Sequence, residues 1–204
     1  VKGRTSVTYD GTYGFSSPTK RFEILNAQDF VAIANEKFTN AGQLPPARMD
    51  AAGTNTNWQN NVFVDNAPST SHTLGVSGGT DKSTYYMSLN YSDSRGIVRT
   101  NRNVAYRIRA NVESQAKEWF KIGNNLSVSR SNDFDQNNGT NALSGAIVGA
   151  IRALPNVAIY NPSNPTGYNL ASANALGGGA NLRTIDDNYT NIAFVLDKNR
   201  FQSD

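Results

Sequence analysis

The sequence predicts an all-β chain whose strands form an antiparallel sheet, the partial wall of a transmembrane β-barrel with about five strands. Three observations predict this class. Apolar and polar residues alternate along stretches of about ten residues, the length of a tilted strand that crosses a bilayer. Long and short connections alternate between these stretches, as they do in barrels with long outer loops. Aromatic residues stand near the strand ends, as in the girdles of such barrels.

The first predicted strand, near 4–15, alternates between an apolar and a polar side. A long connection follows near 16–70 and is punctuated by prolines. One stretch in it, from Ala27 to Thr39, has its apolar residues at helical spacing. Compact soluble domains seldom contain connections of this length without a purpose, so the connection is predicted to be an outer loop.

Four further strands follow, again with apolar residues at alternate positions. They are predicted near 71–78, 83–92, 103–114 and 119–131. Short turns join the second strand to the third and the fourth to the fifth. The connections near 93–102 and 132–204 are predicted to be outer loops, and the last contains a short helix near 143–154. All five strands belong to one predicted unit, residues 1–204, in which the outer loops carry short helices.

The composition favours strands and turns and excludes several classes of function. Charged residues make up 17% of the chain, below the roughly 25% of typical soluble domains. The basic residues are scattered and the net charge is +3, so no nucleic-acid partner is expected. The chain has no cysteine, which excludes disulfides, a thiol nucleophile and thiolate zinc sites. The sequence is expected to contain neither a signal peptide nor a transmembrane helix, and a β-barrel needs no apolar helix.

Amphipathic strands with aromatic residues also build soluble β-sandwiches. Periodicity alone therefore leaves open a soluble, secreted β-sandwich that binds glycans, as lectin and adhesin modules do. The strand length and the alternation of long and short connections favour the membrane barrel.

Three charged residues on one strand are candidate lumen-facing groups. Arg107, Arg109 and Glu113 are separated by even numbers of residues, so they share the polar side of the fourth strand. In a barrel that side faces the lumen, where such residues pair with each other, hold a plug or contact a substrate.

Aromatic residues in the long connections are candidate ligand contacts. Trp58, Tyr160 and Tyr168 would stack on sugar rings if their own rings are exposed. Packing among the loops is the more ordinary role of such residues, and both interpretations are kept.

Three other patterns are weak. His72 is the only histidine and lies on the apolar side of its strand, so neither a catalytic nor a metal-binding role is expected of it. Asp133, Asp135 and Asn137 have the spacing that begins a calcium loop, but the glycine and glutamate that complete such a loop are out of place. Residues 177–180 are glycine-rich but lack the Lys-Ser/Thr pair of a phosphate loop. The sequence therefore predicts no catalytic residue, no metal site and no cofactor.

A family resemblance lies in three segments, which follow one another along the chain. They are NTNWQNNVF (55–63), SHTLGVSGGTDKSTYYMSLNYSDSRGIV (71–98) and YRIRANVESQAKEWFKIGNNLSVSRS (106–131). These segments resemble the SusC/RagA family of TonB-linked outer-membrane transporters of Bacteroidetes. The opening residues 3–30 and the later residues 151–168 are also similar to that family, so the resemblance covers nearly the whole chain.

This resemblance implies an importer of oligosaccharides or peptides in the cell outer membrane, surrounded by its lipid and without enzymatic activity. It implies energy delivered through TonB and a SusD-like surface lipoprotein over the outer mouth. Members of the family carry a plug, a TonB-contacting segment and a much larger barrel. The chain is therefore expected to be a fragment that begins just after the plug, and no residue is assigned to TonB contact.

Overall fold

A computed structural model describes residues 3–135, 145–170, 191–198 and 201–203. Five long strands dominate it, each antiparallel to the next and adjacent in chain order. They are β1 (Ser6–Ser16), β2 (Ala67–Gly79), β3 (Ser83–Arg95), β4 (Arg102–Lys117) and β5 (Phe120–Asp135). A short strand, β6 (Phe201–Ser203), pairs with the end of β5. The predicted antiparallel sheet of five strands is confirmed.

The register of the sheet places the apolar side chains of all five strands on one side. One row across the sheet consists of Tyr9, Leu74, Leu89, Ile108 and Val128. The next row consists of Val7, Val76, Met87, Ala110 and Leu126. Side chains alternate along each strand, so a one-residue slip would turn a whole apolar set to the other side. We call the side with these rows the apolar face and the opposite side the polar face.

The strands extend beyond the alternating stretches at the ends that lead to the long connections. β2 begins at Ala67 rather than near 71, β3 ends at Arg95 rather than near 92, and β5 continues to Asp135 rather than ending near 131. The added residues are mostly polar on both faces, so the alternation stops while the backbone pairing continues. Short turns lie at the opposite end of the sheet, between β2 and β3 and between β4 and β5.

Four helices lie in the long connections, in agreement with the predicted loop helices. They are α1 (Ala27–Asn40), α2 (Trp58–Val62), α3 (Ala146–Arg152) and α4 (Ile192–Lys198). The sequence pattern predicts α1 and α3 but not α2 and α4, which have too few turns for a periodicity to show. None of the helices in the described ranges is long and apolar enough to cross a lipid bilayer.

The ends of α1 follow from local sequence. The Asn26 side chain accepts a hydrogen bond from the Asp29 N–H at 2.9 Å, which satisfies a donor that the first turn leaves without a partner. At the other end Gly42 has a φ of 69°, and the N–H of Gln43 donates to the Phe38 carbonyl at 2.9 Å. A left-handed glycine at this place reverses the chain without a Cβ penalty.

Most of the buried core lies among the long connections, whereas Ala67, Val104 and Ala105 are buried on the strands near the ends that lead to these connections. The largest cluster joins all three connections through Trp58, Val62, Phe63, Val98, Ala146, Ala150, Ala153, Ile192, Ala193 and Leu196. A second cluster packs α1 on the third connection through Phe30, Ala34, Ala47, Leu154 and Val157. Among the described elements α2, α3 and α4 contact one another, and none of the four helices packs on a strand. We call residues 17–66, 96–101, 145–170 and 191–198 the loop cluster.

Candidate functional surfaces

The apolar face is a broad exposed surface. Its large side chains are mostly about half exposed, as Leu126 is at 52% and Val128 at 53%. The described helices leave this face uncovered because they pack within the loop cluster and not on the strands. An exposed apolar surface of this extent marks a contact with a membrane or with another protein.

A row of rings crosses the apolar face towards the end that leads to the long connections. The Tyr9 hydroxyl lies 2.7 Å from His72 Nδ1, and the Thr70 hydroxyl lies 2.7 Å from His72 Nε2. The His72 ring stacks on Tyr91 with centroids 6.5 Å apart, and Tyr91 contacts Tyr106 at 5.2 Å. Both ring nitrogens of His72 are therefore engaged within this aromatic row.

The polar face carries a ladder of hydrogen-bonding side chains centred on Asn90. Its amide nitrogen donates to the hydroxyls of Ser71 and Thr73 at 3.1 and 2.9 Å. Its amide oxygen accepts a hydrogen bond from Arg107 Nη1 at 3.2 Å. Cross-strand pairs of this kind stabilise a sheet and hold the arginine in one orientation.

The three charged residues that the sequence singles out on β4 lie on this polar face. Arg107 binds Asn90, and Arg109 lies opposite Ser88 of β3 and Ser127 of β5. Glu113 forms an ion pair with Lys121 of β5. The three residues share one surface, on which Arg107 is bonded to β3 and Glu113 to β5.

Arg99 joins the three long connections through an ion pair and hydrogen bonds that the sequence does not predict. Its guanidinium forms an ion pair with Asp197 and donates to Asn61 Oδ1 and the Ala193 carbonyl, each at 3.1 Å. Its backbone N–H donates to the Val62 carbonyl at 2.9 Å. Only 25% of its side chain is exposed, so these charge-assisted bonds lie in a partly water-excluded place. No local pattern signals the pair, because Arg99 and Asp197 are 98 residues apart.

Tyr160 and Tyr168 form an aromatic pair at the surface of the loop cluster. Their backbones pair in an antiparallel bridge, and their ring centroids lie 5.3 Å apart. Tyr168 makes an edge-to-face contact with Phe194 and donates a hydrogen bond to Asp197 at 2.5 Å. Tyr160 is 56% exposed, so its ring is the accessible one of the pair.

Trp58 is not accessible to a ligand, which corrects the interpretation of it as a ligand contact. It is fully buried, and its indole N–H donates to the Leu154 carbonyl at 2.9 Å. The neighbouring Gln59 holds the backbone of Phe22 through two hydrogen bonds of 2.9 and 2.8 Å. The Asn57-Trp58-Gln59 segment thus links the first connection to the third through Trp58, and to an earlier part of the first connection through Gln59. Its packing role follows from the size of the indole, which the cluster encloses on all sides.

The hydrogen bond to Asp197 has a measurable consequence for Tyr168. Together with partial burial it raises the pKa of Tyr168 from 10.0 to about 12. Because the folded-state pKa is raised, the phenol stabilises the loop cluster below about pH 10, and this contribution is lost as the pH rises through about 12. We expect the difference in phenolate absorbance between the wild type and Tyr168→Phe to titrate with a midpoint near 12.

Asp197→Asn provides the control for this titration. It removes the carboxylate that is the main cause of the shift, so the pKa of Tyr168 is expected to move back towards 10.0. A difference curve for the wild type that already titrates near 10.0 would contradict the Tyr168–Asp197 hydrogen bond.

Two of the weak sequence patterns fall outside the described residues. The calcium-like spacing runs into 136–144, and the glycine-rich stretch is 177–180; neither range is described. Within the described ranges, no three His, Cys, Asp or Glu side chains are grouped so as to hold a metal ion.

Comparison with curated proteins identifies relatives among TonB-dependent receptors. The chain is 30% identical over 161 residues to the TonB-dependent receptor SusC of Bacteroides thetaiotaomicron, an alignment that covers 78% of this chain and 15% of SusC. It is 28% identical over 166 residues to the TonB-dependent receptor P3 of Formosa agariphila, covering 79% of this chain and 16% of that protein. The chain thus spans about a sixth of the length of these relatives. No family model matches it.

Solved structures share the fold. The RagAB peptide importer in its closed-closed state superposes on 82% of this chain with a TM-score of 0.59 and 21% identity, and the match covers 22% of that chain. A second structure, of the RagAB peptide transporter, superposes on 65% of this chain with a TM-score of 0.51 and 24% identity, covering 18% of that chain. Together with the sequence match to SusC and the two-faced sheet, these comparisons show that the chain belongs to the SusC/RagA family of TonB-dependent receptors.

Proposed function

We propose that this chain forms part of the wall and the outer loops of a TonB-dependent importer in the cell outer membrane. Its family is one of transport receptors and not of enzymes. One observation carries the proposal: a broad exposed apolar face lies opposite a hydrogen-bonded polar face, and all long connections leave from the same end of the strands. In a transmembrane barrel, the apolar face contacts lipid, the polar face lines the lumen, and the long connections face outside.

The dimensions of the apolar face support this proposal. On β5, its side chains run from Phe120 to Val128, and Arg130 is the first charged residue that follows on that face. At the rise of an extended strand, the stretch from 120 to 130 is about 34 Å long. A tilt of about 40–45° reduces this to about 25 Å along the membrane normal, the height of the apolar band in such barrels.

The edge of the sheet at β1 supports the proposal that these strands belong to a larger barrel. In the described part of the chain β1 pairs with β2 on one side only. A free strand edge cannot lie in hydrocarbon, because its N–H and C=O groups would have no hydrogen-bond partner. Further strands of the importer would pair with β1 and close the wall.

Under this proposal the polar groups have distinct roles. Arg107, Arg109 and Glu113 face the lumen, where they hold the plug or contact a passing substrate. Tyr160, supported by Tyr168, contacts the substrate at the outer mouth.

The proposed substrates are oligosaccharides or peptides. The structures that share the fold are those of a peptide transporter and a peptide importer, and an exposed tyrosine ring suits either class of substrate. A SusD-like surface lipoprotein would cover the outer mouth, and TonB would act through the plug of the importer.

The soluble glycan-binding β-sandwich is the alternative that the sequence leaves open. A sandwich requires a second sheet packed over the apolar face. The helices that the structure describes pack within the loop cluster instead, and the exposed rows remain uncovered. The observations therefore favour the importer.

Cell fractionation tests the proposal. The protein that contains this chain, expressed with its native flanking sequence, is expected in the outer-membrane fraction. It should also migrate faster on unboiled gels than after boiling, because a closed barrel resists detergent until it is heated. Recovery as a soluble periplasmic monomer without a heat-dependent shift would refute the importer and support the sandwich.

A further inference from the structure

Two arginines lie close together in the middle of the polar face. Arg107 and Arg109 are two residues apart on β4, so their Cα atoms are about 7 Å apart. Both side chains are exposed. Neither has a carboxylate partner in the described part of the chain, since Arg107 donates to the neutral Asn90 and Arg109 forms no hydrogen bond or ion pair with a described residue.

The carboxylates that the structure describes on the polar face are distant from this pair or already bonded. Asp10 shares the row of Arg107 but lies three strands away on β1, about 14 Å across the sheet. Glu113 forms its ion pair with Lys121. Asp133 lies at the long-connection end of β5, where it accepts a hydrogen bond from Asn103. The centre of the polar face therefore has a local positive charge.

The neighbours of the two arginines favour a polar solute over a packed protein surface. The core of a stable protein–protein interface is apolar and enriched in aromatic residues. In the two rows that contain the arginines, the residues of β2, β3 and β5 are small or uncharged polar ones: Thr73, Gly75, Ser88, Asn90, Ser127 and Ser129. Hydroxyl and amide groups bond to water and to the polar groups of a solute. The positive charge then selects among such solutes.

We propose that Arg107 and Arg109 bind carboxylate groups of the imported substrate, so that the importer prefers acidic oligosaccharides or peptides to neutral ones. The inference rests on the proposed function, which makes the polar face the wall of the passage. A guanidinium offers two parallel N–H donors that fit the two oxygens of a carboxylate. Asn90 is itself held by Ser71 and Thr73, and it keeps Arg107 oriented for this contact.

Binding of matched probes to the complete importer tests this site. The purified protein in micelles is mixed with an oligoglutamate or an oligoglutamine peptide, and separately with an oligogalacturonate or its carboxyl-reduced form. Bound probe is measured by native mass spectrometry at low ionic strength, because salt screens exposed charges. At least one acidic probe should bind about tenfold more tightly than its neutral form. The pair that shows this preference identifies the source of the carboxylate, and Arg107→Gln with Arg109→Gln should abolish it.

A matched control removes the same charge from the short-turn end of the sheet. Lys82 lies in the turn before β3, Lys117 ends β4, and both side chains are exposed. Lys82→Gln with Lys117→Gln should keep the preference for the acidic probe. Loss of the preference in this control would show that the net charge of the protein, and not the arginine pair, attracts the probe.

A single cysteine at Ser127 tests whether the arginines are open to solutes or covered by the plug. Ser127 lies opposite Arg109, and this chain has no cysteine of its own. In the complete importer, with any other cysteine replaced, Ser127→Cys should react about tenfold faster with an anionic thiosulfonate reagent than with a cationic one of similar size. No reaction with either reagent would mean that the plug covers the arginines, and it would overturn the substrate site.

The outcomes separate this inference from the proposed function. Equal binding of the acidic and neutral forms in both pairs, or a preference that survives the loss of both arginines, would overturn the substrate site. The comparison of probes needs no variant, so it remains decisive if the arginine variant fails to fold. Fractionation and the heat-dependent shift are measured on the same preparation. A normal shift without a preference for acidic probes overturns this inference alone, whereas a soluble protein overturns the importer itself.

Discussion

Replacing Leu126 with lysine is expected to destabilise the inserted protein by about 2–4 kcal/mol, the cost of a lysine on the lipid side near the middle of a bilayer. Leu126 is 52% exposed in a row of apolar side chains, and it lies near the middle of the stretch from Phe120 to Arg130 on β5. The effect should appear as a lower urea midpoint for unfolding from lipid vesicles and as a smaller heat-shifted fraction in the outer membrane.

Asn125→Lys is the matched control for this substitution. Asn125 is the preceding residue on the same strand, and it lies opposite the uncharged Asn111 on the polar face. A lysine there points into the proposed aqueous lumen and does not face a like charge directly, so its effect on unfolding should be small. Equal destabilisation by the two lysines would contradict the assignment of the faces. A larger effect at Asn125 would mean that the polar face is the buried one.

The sequence predicts the sheet well because the alternation along the strands agrees with the alternation of short and long connections. With a period of two, any one-residue shift between strands would turn an apolar set to the polar side, so the parity of each pairing is determined, as in the row that contains Leu74, Leu89 and Ile108. The short turns fix which strands are neighbours, since a turn of a few residues joins only adjacent antiparallel strands. The polar-face positions of Arg107, Arg109 and Glu113 follow from the same parity.

The strand ends are less predictable because their residues are polar on both sides. From Ala67 to Ser71 and again from Asn132 to Asp135 the apolar alternation is lost, although the backbone continues to pair. At these ends the backbone pairs with the neighbouring strand although both faces of the sheet are polar. A prediction from the alternation of apolar and polar residues therefore ends each strand too early.

The loop cluster depends on contacts that no local pattern contains. Arg99 follows a short apolar stretch like many others, and its partner Asp197 lies in a helix of only seven residues. For Trp58 the sequence suggests a role that the structure does not show. A tryptophan in a long polar connection suggests an exposed ligand contact, but Trp58 is buried by residues that include Leu154, nearly a hundred positions away. Burial in this region results from three connections that meet only in the folded chain.

Replacing Trp58 with alanine is expected to cost the loop cluster about 3–5 kcal/mol, the range for removing a large buried aromatic side chain. Trp58 is fully buried at the centre of the cluster, and its loss would also leave the Leu154 carbonyl without the indole donor. No described helix of this cluster contacts a strand. The strands of the wall should therefore stay paired while the outer loops open. Hydrogen exchange followed by mass spectrometry should show faster exchange in peptides from α2 and α3, with little change in β3 and β4.

Trp119→Ala is the control, because Trp119 is 80% exposed at the short-turn end. Its loss should leave hydrogen exchange in the loops unchanged. Faster exchange throughout the strands of Trp58→Ala would show instead that the loop cluster supports the wall.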